Sequence, residues 1–209
     1  MFVITADQVA SRTNPDLVPD ALTTVSALEP GTLALPPERT VGDEFQVLTA
    51  NPATALKILL HLTRDGSWSV GLGVGTVGLP LPAHTREATG EAFIAARKAV
   101  TRAKRSPTRC AVESLRVPST GHDVEALIDL LLTLRARRTA AGWEVHDLLA
   151  ANHTQRDVSV ILGITPQSVS NRAAAAALTI EARAQVALIM LLSELDFTHS
   201  PPLSLLEDE

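Results

Sequence analysis

Three carboxylates near the start of this 209-residue chain stand where strands meet turns. Asp7 closes the apolar run Phe2-Val3-Ile4-Thr5-Ala6, and Asp43 and Glu44 sit in Val41-Gly42-Asp43-Glu44-Phe45-Gln46. Neighbouring strand ends can bring such acids into the coordination sphere of one ion, and Mg²⁺ with nucleotide phosphates suits oxygen ligands. Acids at strand ends are also ordinary turn formers. A second group, residues 154–172, has the order needed to read DNA. Thr154 can cap a short helix with a buried stripe of Val158, Ile161 and Leu162. Gly163 supplies a left-handed turn, Ile164 plugs the core, Thr165 caps a second helix, and Pro166 takes its first position, where a missing N–H costs nothing. Val169 is the inward anchor, with Gln167, Ser168, Ser170, Asn171 and Arg172 around it; Thr154 and Gln155 are further candidate DNA contacts. From a helix N-terminus, Gln and Asn can pair with adenine and Arg with guanine. The alternative is an ordinary helical hairpin with a glycine turn, although packing alone would place more apolar residues at 165–170.

A sheet in the first half and helices in the second must position these groups. Met1–Ala6 reads as a short buried strand. Apolar residues at 17, 18, 22, 25 and 28 predict a helix over Pro15–Leu28, starting as late as Pro19 and closed by Glu29-Pro30-Gly31. A strand over Leu33–Leu35 is expected to stop at Pro36-Pro37, and another to run from Thr40 to Leu48. Asn51 can cap a helix over Pro52–Arg64. Trp68–Val77 alternates, with Trp68, Val70, Leu72 and Val74 on one face and Ser69, Gly71, Gly73 and Gly75 on the other. Glycine there permits close approach to the backbone, and the expectation is room for a ligand beside the acids. A loop over Pro80–Thr89, a helix over Gly90–Lys104 and a strand over Arg109–Glu113 complete a domain at 1–113. A linker is expected at 114–122, then a helical domain at 123–209. Its helices are Asp123–Arg138, Trp143–Ala151, Thr154–Leu162, Pro166–Leu178 and Ile180–Phe197, with the helix-turn-helix at 154–176 and an acidic tail over Pro201–Glu209. The alanine run Ala173–Ala177 favours helix. The fold class is α+β.

Composition narrows the options. Hydrophobic residues make up 45% and charged residues 20%, as in a packed globular protein; with no tyrosine and four phenylalanines, the core must be aliphatic. The single cysteine, Cys110, excludes an intrachain disulfide and reads as a small core residue. The histidines are scattered, and no Gly-Lys-Ser/Thr phosphate loop occurs. The longest apolar stretch, Val186–Leu192, is far short of the ~20 residues of a membrane span. A cytoplasmic protein with no membrane partner is expected. The net charge of −5 is uneven: residues 1–120 hold 12 basic and 11 acidic side chains, and residues 121–209 hold 6 and 12. Phosphate attraction is therefore weak in the half that carries the DNA-reading pattern. Arg135, Arg137 and Arg138 are expected to help from a neighbouring helix, and a homodimer would double the contacts. The last helix, apolar on more than one face, is either a dimer surface or core. The cations between Arg97 and Arg109 are either a solvated helix face or a phosphate-contacting patch.

Residues 154–172 resemble the helix-turn-helix of bacterial regulators, especially the sigma-factor region-four type, in which Thr-Gln-x-x-Val-x-x-x-Leu-Gly is common. Ala6-Asp7-Gln-Val, Arg39-Thr-Val-Gly-Asp43-Glu-Phe, Val70-Gly-Leu-Gly-Val-Gly75 and Gly90-Glu-Ala-Phe-Ile-Ala-Ala-Arg97 follow the order seen in class III nucleotidyl cyclases and are similar to the Gly-Asp-Glu-Phe turn of diguanylate cyclases. That resemblance implies a ferredoxin-like, palm-type α/β sandwich with Asp7 and Asp43 as Mg²⁺ ligands. It implies Arg97 as a transition-state arginine and Arg39 near a base-selecting position, both toward a nucleotide. Phe93 stands where an asparagine is expected, which implies a domain without efficient turnover. Such a domain followed by a helix-turn-helix resembles the SatD family of bacterial proteins. It implies a double-stranded-DNA-binding regulator, with a sensor or dimerisation domain derived from a cyclase; the alternative is a metal-dependent, nucleotide-binding enzyme.

Overall fold

Phe2 to Ala6 are fully buried, side chains of both faces alike. A strand covered on both faces belongs in the interior of a sheet with helices on each side. In the computed structural model, which describes residues 1–197, this strand is β1 (Phe2–Gln8). It lies between β3 (Glu44–Thr49) and β4 (Trp68–Val74), antiparallel to both. β2 (Leu33–Arg39) pairs antiparallel with β3, and β5 (Cys110–Ser114) pairs parallel with β4, so the strand order is β2-β3-β1-β4-β5. The chain is mixed α+β, as its sequence suggests.

Three helices flank this sheet: α1 (Val18–Leu28), α2 (Pro52–Leu62) and α3 (Glu91–Ala103). Asn51 caps α2, accepting from Ala53 N at 2.9 Å and Thr54 N at 3.2 Å. The Trp68 ring meets Phe45 edge-on at 5.1 Å and lines a hollow with α1 and α2 side chains, so α1 and α2 share the face of Phe45 and Trp68. α3 covers the opposite face, where Ala92, Phe93 and Ala96 pack against Val3, Leu35 and Leu48. The bare face of β4 serves this packing. A Cβ on Gly73 would lie 2.2 Å from Ala92 O and Ala96 N, and one on Gly71 would lie 2.2 Å from Val100 N. The expected ligand space beside these glycines is therefore filled by the α3 backbone.

Other boundaries differ from expectation for identifiable reasons. Pro36-Pro37 does not end β2, because β2 is the sheet edge, where a missing N–H breaks no ladder; the register shifts around the prolines instead. The strand expected over Thr40–Leu48 is a turn through Gly42, at φ 62°, followed by β3 from Glu44. Residues 114–122 hold the end of β5 and the start of α4 (Pro118–Ala136) in place of a linker.

The described chain divides into two compact units, Met1–Asp129 with Leu188–Phe197, and Leu130–Ala187. The second unit contains α5 (Ala140–Ala150), α6 (Gln155–Leu162) and α7 (Pro166–Ala175), and takes in parts of α4 and α8 (Leu178–Phe197). Its core is Val145, Val158 and Val169, fully buried, with Leu148, Leu149, Leu162, Ile164 and Leu178 packed around them. Each buried valine contributes about 1.5–3 kcal/mol of hydrophobic stabilisation. Ile161, expected in the buried stripe, is 51% exposed, and Ser159 is buried in its place. The alanine run does not continue as helix: α7 stops at Ala175, and Ala177 takes a positive φ of 55°. Among the described residues no single helix is long and apolar enough to cross a membrane. The tail Pro201–Glu209 lies outside the described residues.

Candidate functional site

The α6–α7 corner is built from local chemistry. Thr154 Oγ1 accepts from Asp157 N at 3.2 Å, while Asp157 Oδ2 accepts from Thr154 N at 2.9 Å, a reciprocal capping box. The hydrogen bonds from Thr154 hold the Asp157 carboxyl below its ordinary pKa. Gly163 ends α6 at φ 64°, a conformation in which a Cβ is strained, and Ile164 N donates to Ser159 O at 3.0 Å to close the turn. Thr165 caps α7 by accepting from Ser168 N at 3.1 Å, and Pro166 follows it at the first helical position.

Val169 turns inward and is fully buried. Gln167, Ser170 and Asn171 are exposed on one face, at the i, i+3 and i+4 spacing that makes helix neighbours. Gln167 Nε2 donates to Asn171 Oδ1 at 3.0 Å, so both amides point to the same patch. Thr154 and Gln155 are also exposed. Ser168 is half-buried, its hydroxyl 2.9 Å from Thr165 Oγ1, and belongs to the cap as much as to the surface; the Thr-x-x-Ser spacing was the signal for that role. Arg172 is half-buried and pairs with Glu144 of α5 at 3.6 Å. Of the arginines expected to reach phosphates from the end of α4 and just beyond it, Arg135 and Arg138 are only 6% and 8% exposed and turn inward to Glu181, which corrects that expectation; Arg137 is exposed.

The strand-end acids meet in register. Asp7 of β1 lies opposite Glu44 of β3, and the Asp43 carbonyl accepts from Gln8 N at 3.1 Å. Glu44 is 4% exposed; it accepts from Thr40 Oγ1 at 2.7 Å and pairs with Arg97 of α3. Lys104, the residue that caps the C-terminus of that helix about two turns on, holds Asp7 Oδ2 at 2.6 Å. Sequence reasoning missed Lys104 in this role, since only the packing of α3 on β1 brings the two together. Arg39 does not join Arg97. Its register partner Phe45 faces α1 and α2, and its guanidinium donates to Asp16 Oδ1 at 2.6 Å. That hydrogen bond holds the Asp16 carboxyl below its ordinary range, and Asp16 in turn accepts from Val18 N at the start of α1. Arg39 therefore ties β2 to the β1–α1 loop on the face opposite Arg97. Phe93 is 9% exposed, in the core with Val3 and Leu48. Arg102 pairs with Glu113 at 3.3 Å and with Glu125, so Arg97, Arg102 and Lys104 of the basic run are all matched by carboxylates of the same unit. Among the described residues no three His, Cys, Asp or Glu side chains converge as a metal-binding group. Lys104 and Arg97 pair with the acids at this strand end.

Neither a known protein family, nor a curated protein, nor a solved structure matches the chain.

Proposed function

We propose that this chain is a DNA-binding transcriptional regulator that reads double-stranded DNA with α7. The observation that carries the reading is the α6–Gly163–α7 corner: both helices capped, Val169 buried, and Gln167, Ser170 and Asn171 exposed together. A helix held by one inward anchor and presenting short polar groups from its first turns fits the major groove, with the paired Gln167 and Asn171 amides on the exposed face where they can exchange their mutual hydrogen bond for pairing with adenine. A single corner offers few phosphate contacts, because Arg135 and Arg138 face inward and Arg172 is shared with Glu144. The proposal therefore includes a homodimer, in which two-fold symmetry doubles those contacts. The test is selection from a pool of random duplexes. Wild type enriches a two-fold motif, and Asn171→Ala enriches a motif degenerate at one position in each half. A pool that stays random with wild type contradicts the reading.

The first unit supports a palm-like sandwich serving as sensor or dimerisation domain. The order β2-β3-β1-β4, with α1 joining β1 to β2 and α2 joining β3 to β4, is that of a ferredoxin-like arrangement. A second reading, a nucleotide-binding module, is favoured by one observation, the placement of Asp7 opposite Glu44 beside Arg97 and Lys104. In that reading a triphosphate displaces the carboxylates from Arg97 and Lys104. Calorimetric titration with nucleoside triphosphates, with and without Mg²⁺, tests it: heat that disappears in Arg97→Ala supports the reading, and no heat removes it.

A further inference from the structure

The C-terminal end of α7 is fixed by an arginine from outside the helix-turn-helix. Helices commonly end on a glycine in the left-handed conformation. Here that position is filled by alanine: the chain leaves α7 through Ala176 and Ala177, the latter at φ 55°. An L-residue is strained there, so the surrounding structure must hold it. Arg138, which follows α4, does so. Its Nη2 donates to Ala176 O at 3.0 Å and its Nε at 3.3 Å, placing a cation on the carbonyl end of the helix, where the dipole is negative. The same guanidinium pairs with Glu181 in the first turn of α8, and Glu181 also receives Arg135 and the amide of Gln185.

The cluster is built into the interior. The Arg138 side chain has no exposed area and that of Glu181 is 3% exposed. Trp143 of α5 lies under both guanidiniums, 4.4 Å from Arg138 Cζ and 4.9 Å from Arg135 Cζ. Gly142 leaves the space that Arg138 occupies: a Cβ there would come within 2.9 Å of Arg138 Cγ and 3.0 Å of Ala176 Cβ. Two arginines share one carboxylate, and Arg138 Nη1 is buried with no acceptor among the described residues. Stability alone is a poor reason for such a cluster, since buried ion pairs can often be replaced by apolar residues at no loss. What it does supply is geometry: one guanidinium fixes where α7 ends and where α8 begins, across a bend of 49°.

We propose that Arg138 and Glu181 are positioning residues for DNA reading, setting the direction in which α7 presents Gln167, Ser170 and Asn171. This rests on α7 being the reader. The test compares wild type, Arg138→Lys and the apolar triple variant R135M/R138M/E181L by three measurements: the ratio of specific to non-specific DNA affinity, the salt dependence of binding, and hydrogen exchange of the amides at 174–177. The expected result is a ratio lowered roughly five- to a hundredfold, the size of one lost base contact, with the salt slope unchanged. Exchange at 174–177 rises while that of α6 does not. Arg138→Lys keeps the buried charge and loses the two-pronged grip, so it carries the test if the triple variant does not fold. If wild type prefers a sequence and the variants keep both that preference and the exchange pattern, this inference is overturned while the reader stands. If wild type has no sequence preference, the reader fails and the inference with it.

Discussion

Gly73→Ala tests the packing that shapes the first unit. The added methyl would sit 2.2 Å from Ala92 O and Ala96 N and 2.8 Å from Ala96 Cα, where ordinary contact begins near 3.4 Å. Every one of these atoms is backbone, so no rotamer change relieves the clash, and α3 must retreat from β4 by about 1 Å. Overpacking of this kind costs about 1–3 kcal/mol, and a rigid backbone neighbour places the cost at the upper end. Alanine recovers about 0.5 kcal/mol by restricting the unfolded chain. The net loss is about 2–2.5 kcal/mol, or roughly 4–10 °C in midpoint for a chain of this length. Gly75→Ala is the graded control, because its nearest neighbours, Ala92 N and Glu91 Cβ, lie at 3.0 Å and one of them is a side chain; its loss is about 1 kcal/mol or less. Guanidinium unfolding followed through Trp68 in a Trp143→Phe background isolates the first unit. A Gly73→Ala protein within about 0.5 kcal/mol of its parent, or one more stable than Gly75→Ala, would refute the reasoning.

Glu181 gives the second unit an acid limit. Burial pushes its carboxyl up, but the hydrogen bond from Arg138 and the charges of Arg135 and Arg138 outweigh it and hold the pKa below the unfolded value of 4.5. The contribution is complete above that value and is lost as pH falls through the lower folded one, so Glu181→Gln flattens the acid limb of a melting-temperature profile; an unchanged acid slope contradicts the pairing. Thr154→Ala removes the cap and one arm of the capping box, and costs about 0.5–2 kcal/mol in thermal unfolding; no loss means that α6 starts elsewhere. Burial drives the Cys110 thiol far above its ordinary range. Native protein is expected to leave an aromatic disulfide reagent unreacted, and denatured protein to release one equivalent of thiolate; rapid labelling of native protein contradicts the buried placement.

The sequence was most informative where structure is set locally. Thr154, Gly163, Thr165 and Pro166 announce the α6–α7 corner because caps and left-handed turns depend on a few adjacent residues. Asn51 announces α2 for the same reason. What was hidden depends on partners distant in sequence. The glycines of β4 were visible as a bare face, but periodicity does not say whether a ligand or a helix comes against it; α3 does. Pro36-Pro37 reads as a break until β2 is known to be an edge strand. The five alanines read as uninterrupted helix, because the guanidinium that ends α7 is 38 residues away from Ala176 in sequence. Arg135 and Arg138 carry the composition of a phosphate-binding patch, and only their burial against Glu181 shows otherwise.

Whether α7 reads base edges is decided by a double-mutant cycle between α7 and a selected duplex. Gln167→Ala and Asn171→Ala are each measured against the selected duplex and against duplexes with single base-pair changes, at one fixed salt concentration. For each residue a coupling of about 1–3 kcal/mol is expected, confined to one or two base pairs per half-site and near zero elsewhere. Couplings near zero at every position for both residues, with wild-type specificity intact, would place the reader outside α7.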